Sequence, residues 1–151
     1  MNLFADIRSL VLDCLAAMTA DGMLPAGLAT DAVTVEPPRD KGHGDMATNA
    51  AMVLAKPAGK TPREIAEALA VRLQADPRVT EATVAGPGFL NLRLRPVVWQ
   101  AVIHAALTEP GFGRSDLGRG KRVNVEFVSA NPTGPLHVGH TRGAVFGDAL
   151  A

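Results

Sequence analysis

Apolar residues recur at helical spacing from the start of the chain. Phe4, Ile7, Leu10, Val11, Leu15 and Met18 fall on one side of a helix spanning about Leu3 to Ala20, and Gly22 supplies its stop. Val33-Thr-Val35 predicts a short strand closed by Pro37-Pro38. The stretch Arg39-Asp-Lys-Gly-His-Gly-Asp45, with two glycines and alternating charge, predicts a loop. A small-residue helix is expected next, through Ala47, Ala51 and Leu54. Thr61-Pro62-Arg63-Glu64 then combines a capping box with proline at the first helical position. Ile65, Ala68, Leu69 and Leu73 give that helix its buried stripe, and Asp76-Pro77 ends it.

Val79–Ala85 and Phe89–Arg95 read as strands, and the tight Gly86-Pro-Gly88 connection makes them a hairpin. In the second strand Leu90, Leu92 and Leu94 share one face, while Phe89, Asn91, Arg93 and Arg95 share the other. Pro96 opens a helix carrying Val98, Val102, Ile103 and Leu107. Glu109–Gly120 changes character: five of its twelve residues are Pro or Gly, which marks a domain boundary. Beyond it, Val123-Asn-Val-Glu-Phe-Val128 predicts a buried strand, Ser129–Leu136 a loop, and His137–Ala151 a glycine-bearing helix. A strand, a loop and one helix are half of a βαβ unit, so the C-terminal part is expected to be incomplete.

Composition sharpens this. The chain has 151 residues, enough for one domain or a domain plus a fragment. Of its residues 47% are apolar, but 25 are alanine and only 4% are aromatic, so the core must be helix-rich packing of small side chains. Disorder is excluded by this composition. No apolar run approaches the ~20 residues of a membrane span, and no secretory leader opens the chain. A single cysteine, Cys14, rules out an internal disulfide and a multi-thiolate metal site. A soluble cytoplasmic protein is the expectation. Net charge is zero, yet Arg114, Arg119, Lys121 and Arg122 cluster with only Asp116 against them. That cluster could meet phosphates or could be a solvated linker.

The chemistry concentrates in Ser129-Ala130-Asn131-Pro132-Thr133-Gly134-Pro135-Leu136-His137-Val138-Gly139-His140. It sets two imidazoles around a glycine at the mouth of a helix, after the carboxyl end of the expected strand, where parallel α/β sheets bind ligands. A helix N-terminus offers N–H groups and partial positive charge to a phosphate. Gly139 lets a planar base approach the backbone. His137 and His140 can donate hydrogen bonds to oxygens whose charge grows during attack at phosphorus. The same residues could instead be turn chemistry and surface histidines. A metal site is disfavoured, because zinc wants about three or four ligands and Cys14 and His43 are distant in sequence.

His137-Val-Gly-His140 resembles the HIGH signature of class I aminoacyl-tRNA synthetases. The longer string from Ser129 to His140, continued by Thr-Arg-Gly-Ala-Val-Phe-Gly-Asp-Ala, resembles the arginyl-tRNA synthetases in particular. Over a hundred residues precede it, as in that family with its extra N-terminal domain. Gly44-Asp45-Met46-Ala47-Thr48-Asn49 and Gly86-Pro-Gly-Phe-Leu-Asn-Leu92 also match the family's pattern, so the resemblance covers essentially the whole chain.

The resemblance implies an α+β N-terminal domain over residues 1–112, helices packed on a small antiparallel sheet and contacting tRNA. A linker over 113–121 and the opening of a Rossmann-type α/β catalytic domain over 122–151 would follow. It implies arginine activation by ATP with Mg²⁺ and transfer to tRNA(Arg), with no structural metal and a monomeric state, these 151 residues alone being inactive. His137, Gly139 and His140 would hold ATP, the two histidines acting in catalysis. Ser129, Ala130 and Asn131 with His140 would bind arginine, and Phe89 and Asn91 would contact the tRNA elbow. The strand pattern supports that contact independently: Phe89, Asn91 and Arg93 on one face can stack on a base, read its edge and meet phosphate. Two other readings stand beside it, a non-enzymatic tRNA-binding module and a different HxGH nucleotidyltransferase.

Overall fold

The computed structural model describes residues 2–38, 40–131 and 133–151, without the side chain of Lys41. The chain divides into two compact units, with the division between Gly113 and Arg114.

The first unit is a helical layer on one face of a four-stranded antiparallel sheet. Its order is α1 (Leu3–Ala20), β1 (Val35–Glu36), β2 (Met46–Thr48), α2 (Ala50–Ala58), α3 (Pro62–Gln74), β3 (Val79–Ala85), β4 (Phe89–Leu94) and α4 (Pro96–Thr108). Strand order is β1-β2-β4-β3. The capping box forms as its sequence dictates: Glu64 N–H donates to Thr61 Oγ1 at 3.3 Å, and Thr61 N–H donates to the Glu64 carboxylate at 2.8 Å. These hydroxyl and backbone donors hold the Glu64 carboxyl below its ordinary pKa. Ile7, Val11, Leu15 and Met18 of α1 meet Ile65, Leu69 and Leu73 of α3 and Leu90, Leu92 and Leu94 of β4 in one core.

The family-like sequence strings do structural work here. Gly44 has φ +114°, and a Cβ there would lie 2.7 Å from the Leu92 carbonyl oxygen. Asp45 then donates its N–H to that carbonyl at 2.8 Å, and its carboxylate accepts from Leu94 N–H at 2.7 Å. Asn49 accepts from Thr34 N–H at 2.8 Å and donates to the Ala32 carbonyl at 3.1 Å, fixing the segment before β1. A Cβ on Gly88 would sit 2.5 Å from Pro62 Cβ, so the hairpin presses directly on the start of α3.

Three expectations need correction in this unit. The first strand is Val35–Glu36 rather than Val33–Val35: Val33 is buried, but Thr34 spends its N–H on Asn49. Ala47 lies in a strand, not a helix, because pairing with β4 overrides local preference. On α4, Val98 and Ala105 are buried while Ile103 and Leu107 are 60% and 81% exposed, since a helix apolar nearly all round buries only one row. The 39–45 loop contains a short 3₁₀ turn at Lys41–His43; Arg39 lies outside the described residues.

The second unit, residues 114–151, holds the helix α5 (Val138–Leu150). Residues 123–128 form no strand, and Val123 is 77% exposed. A buried strand needs neighbours on its hydrogen-bonding edges, and none among the described residues pairs with it. Phe127 packs instead on α5, where a Cβ on Gly147 would come within 2.8 Å of it.

Asp76 gives this fold an acid-sensitive anchor between α3 and β3. Its carboxylate accepts from Arg78 Nε at 2.9 Å, Nη2 at 3.0 Å and the Arg78 N–H at 2.8 Å. The guanidinium hydrogen bonds hold the Asp76 carboxyl below its ordinary range, against the opposing pull of burial. A depressed carboxylate stabilises the fold above its unfolded pKa of about 4 and loses that contribution as pH falls through its lower folded value. Asp76→Asn should therefore lower stability by about 1 kcal/mol at neutral pH, Arg78 being partly screened by solvent. Denaturant titrations at stepped pH should show the two proteins converging below about pH 4.

Candidate functional site

Register, rather than composition, builds the first candidate site. Glu36 pairs with Ala47, Ala47 with Asn91, and Asn91 with Thr83, so these four residues form one row across the open face of the sheet. Ala85–Phe89 and Glu81–Arg93 flank that row on the same face. The helices cover the other face, leaving this one without a packed layer. The small side chains of Ala47, Thr83 and Ala85 leave space around the larger ones. A cavity of about 560 Å³ opens there, walled by Thr34, Pro37, Pro38 and His43 and bordered by Phe89 and Asn91. A smaller one of about 240 Å³ shares His43, Ala85 and Asn91 with it and extends to Glu81 and Arg93.

Phe89 is 43% exposed, offering ring surface to this space, whereas Asn91 is only 7% exposed. β4 is an inner strand, so Asn91 sits at the floor between Ala47 and Thr83 rather than on a wet edge. Its amide makes no hydrogen bond among the described residues while bordering both cavities. A nearly buried amide whose polar atoms open onto the cavities is suited to a base edge, and a neighbouring aromatic to stacking. Arg93 Nε approaches the Glu81 carboxylate at 3.7 Å, both side chains about half exposed. The family resemblance pointed to Phe89 and Asn91, and the alternation of the strand placed Arg93 on the same face. Sequence reasoning missed Glu81, Thr83, Ala47 and His43, because cross-strand partners are set by register and loop path.

In the second unit, Ser129, Ala130, Asn131, Thr133, Gly134, Pro135, His137 and His140 line a single cavity of about 430 Å³. Pro132 lies outside the described residues; Leu136, Val138 and Gly139 do not line the cavity. His137 is the N-cap of α5, and His140 stands one turn in. His137 Nδ1 accepts from Gly139 N–H at 3.1 Å, and His140 Nδ1 accepts from His137 N–H at 3.2 Å. The ring centroids are 3.8 Å apart. An imidazole accepting at Nδ1 carries its proton on Nε2, so each ring keeps an Nε2–H donor for a ligand. The helix mouth is thus partly capped by its own side chains, and its donors to an anion are chiefly the two rings. A Cβ on Gly139 would fall 2.9 Å from His137 Cε1, so the glycine makes room for the ring. Arg114, Lys121 and Arg122 are exposed, and Arg119 pairs with Asp116 at 2.8 Å on the surface.

Among the described residues no three His, Cys, Asp or Glu side chains gather as a metal site, and no helix is long and apolar enough to cross a membrane.

A sequence profile for the arginyl tRNA synthetase N terminal domain matches residues 5–94, more than half of the chain. The chain belongs to the arginyl-tRNA synthetase family. It is 74% identical over its whole length to proteins named arginine–tRNA ligase from Paracoccus denitrificans (strain Pd 1222) and Ruegeria sp. (strain TM1040), covering 26% of each. It therefore spans about a quarter of the length of these curated relatives. Among solved structures it is 31% identical to a Thermus thermophilus arginyl-tRNA synthetase, over 95% of this chain and 22% of that one, with a TM-score of 0.46.

Gly139→Ala should displace the His137 ring and break its hydrogen bond to the backbone. The imidazole nitrogen resonances of His137 should shift, and α5 should fray at its start, a lost N-cap being worth about 1 kcal/mol. Unchanged resonances would contradict the cap.

Proposed function

We propose that the full-length protein carrying this chain is an arginine–tRNA ligase. It joins L-arginine to ATP, forming arginyl-adenylate and releasing pyrophosphate, and then passes the arginyl group to tRNA(Arg) with release of AMP. The observation that carries this is the 74% identity, over the whole chain, to proteins of that name. Residues 1–112 serve as the tRNA-contacting domain, 113–121 as linker, and 122–151 as the opening of a Rossmann-type catalytic domain. The protein works in the cytoplasm, as a monomer.

The donor set at α5 fits a triphosphate. Two Nε2–H groups and a helix N-terminus border a cavity lined by no carboxylate among the described residues, so an anion meets no opposing charge there. In this role His137 and His140 hold ATP and donate to its phosphate oxygens, with Gly139 clearing space beside them. Their hydrogen bonds strengthen as the arginine carboxylate attacks the α-phosphorus and charge builds on those oxygens. Ser129, Ala130 and Asn131, with His140, receive the amino acid. Mg²⁺ arriving with the triphosphate substrate would offset charge on the leaving pyrophosphate. Phe89 stacks on a base of the tRNA elbow, Asn91 reads its edge and Arg93 meets the backbone.

A second reading has one observation in its favour: the first unit contains a closed core and an open, cavity-bearing face of its own. A non-enzymatic tRNA-binding module would need no more, and would bind tRNA without binding ATP.

In the full-length protein, His137→Ala and His140→Ala should each lower kcat for arginine-dependent ATP–pyrophosphate exchange by about 10²–10³ while changing ATP binding less. A rise confined to the KM for ATP would remove the transition-state role. Asn91→Ala should weaken tRNA(Arg) binding by about 1–3 kcal/mol, by analogy with base-edge readout. ATP binding and Tm should hold; a fall in Tm of matching size would make Asn91 structural.

A further inference from the structure

Glu81 reaches the open face only because β3 changes phase. Val79 pairs with Leu94 and is buried in the core, so β3 begins with its odd-numbered residues facing the helices. The register then shifts: Glu81, not Thr80, pairs with Arg93. From that point Glu81, Thr83 and Ala85 share the open face, and Ala82 and Val84 pack toward the core. A one-residue slip exchanges the two faces of a strand, and bulges of this kind re-aim side chains beside binding sites. Regular pairing would have sent the Glu81 carboxylate into the leucine core.

The re-aimed carboxylate borders the smaller cavity, with Thr83, Asn91, Arg93 and His43 around it. His43 is set there by the Gly44–Asp45 clamp on β4. Arg93 at 3.7 Å is too far for a hydrogen bond to Glu81. The carboxylate is thus ion-paired with Arg93 but accepts no hydrogen bond among the described residues. This cavity of about 240 Å³ adjoins the larger one through His43, Ala85 and Asn91, so it can receive the sugar that neighbours a base held there. A carboxylate repels a phosphate but accepts from a hydroxyl, as acidic residues do from the ribose in dinucleotide-binding folds.

We infer, on the tRNA-contacting role proposed above for this same face, that the smaller cavity is a ribose subsite. In it Glu81 accepts a hydrogen bond from the 2′-hydroxyl of the nucleotide adjoining the one held by Phe89 and Asn91. The bulge in β3 thereby makes the face selective for RNA, since the 2′-hydroxyl is what separates RNA from DNA at a contact.

The test is a matrix of protein variants against tRNA(Arg) transcripts carrying single 2′-deoxy substitutions through the elbow, with Kd measured for the full-length protein. One deoxy position should weaken wild-type binding about tenfold, the scale of a hydrogen bond to a charged group. Glu81→Ala should weaken the unmodified transcript by a similar factor and be indifferent to that position. Glu81→Gln, which keeps an acceptor oxygen, should retain part of the sensitivity. If every deoxy loss multiplies undiminished with Glu81→Ala, the ribose subsite is wrong while the tRNA-contacting face stands. If Phe89→Ala and Asn91→Ala also leave Kd unchanged, the face itself is not the tRNA contact and the subsite falls with it.

Discussion

Asp45 ties the first unit together at the point where its chain path is least regular. Its N–H donates to the Leu92 carbonyl, and its carboxylate accepts from Leu94 N–H, so one residue extends the β2–β4 ladder by a rung made partly of side chain. Gly44 must precede it, because any Cβ would collide with the carbonyl that Asp45 binds. With β4 held there, its leucines face the helices and Phe89, Asn91 and Arg93 face the opposite way. A slip by one residue would turn Asn91 and Arg93 toward the helices and expose three leucines. The candidate interface and the core are thus two consequences of one register.

The sheet is asymmetric in a way that suits recognition. Helices α1, α2 and α3 supply large apolar side chains to one face, and that side carries the stability of the unit. Freed from packing, the other face keeps small residues at Ala47, Thr83 and Ala85, and these open cavities instead of closing them. Asn91 is the exception that joins the two roles: it is nearly buried by its neighbours, yet its amide finds no protein partner among the described residues. Among the described residues no fully buried polar side-chain atom is left without a partner, so this amide opens onto the cavities rather than being sealed beneath them.

The second unit relies on a different device. His137 and His140 cap α5 through their Nδ1 atoms, the His137 ring held by the Gly139 N–H and the His140 ring by the His137 N–H. The same bonds fix the tautomer and turn Nε2–H into the available donor. Gly139 is required twice over, as a small residue at the helix mouth and as the gap that His137 fills. The local sequence encodes this arrangement without help from distant residues.

Local signals determined much of this protein. The capping box at Thr61 and Glu64, the Gly86-Pro-Gly88 hairpin, the α1 stripe and the alternation of β4 all depend on neighbours within a few residues, and all could be read before any fold was known. The His-x-Gly-His pair was legible for the same reason. Where partners lie far apart in sequence, the reading failed. Ala47 joins a strand because Asn91 lies beside it, Thr34 is drawn from a strand by Asn49, and residues 123–128, β-branched as they are, find no neighbour to pair with among the described residues. The place of Glu81 was least legible of all. Nothing in Val79-Thr-Glu81 announces a bulge, and only the register against Leu94 and Arg93 turns that carboxylate from the core to the open face. Periodicity determines which residues can share a face; the pairing of strands decides which face they share and what stands beside them.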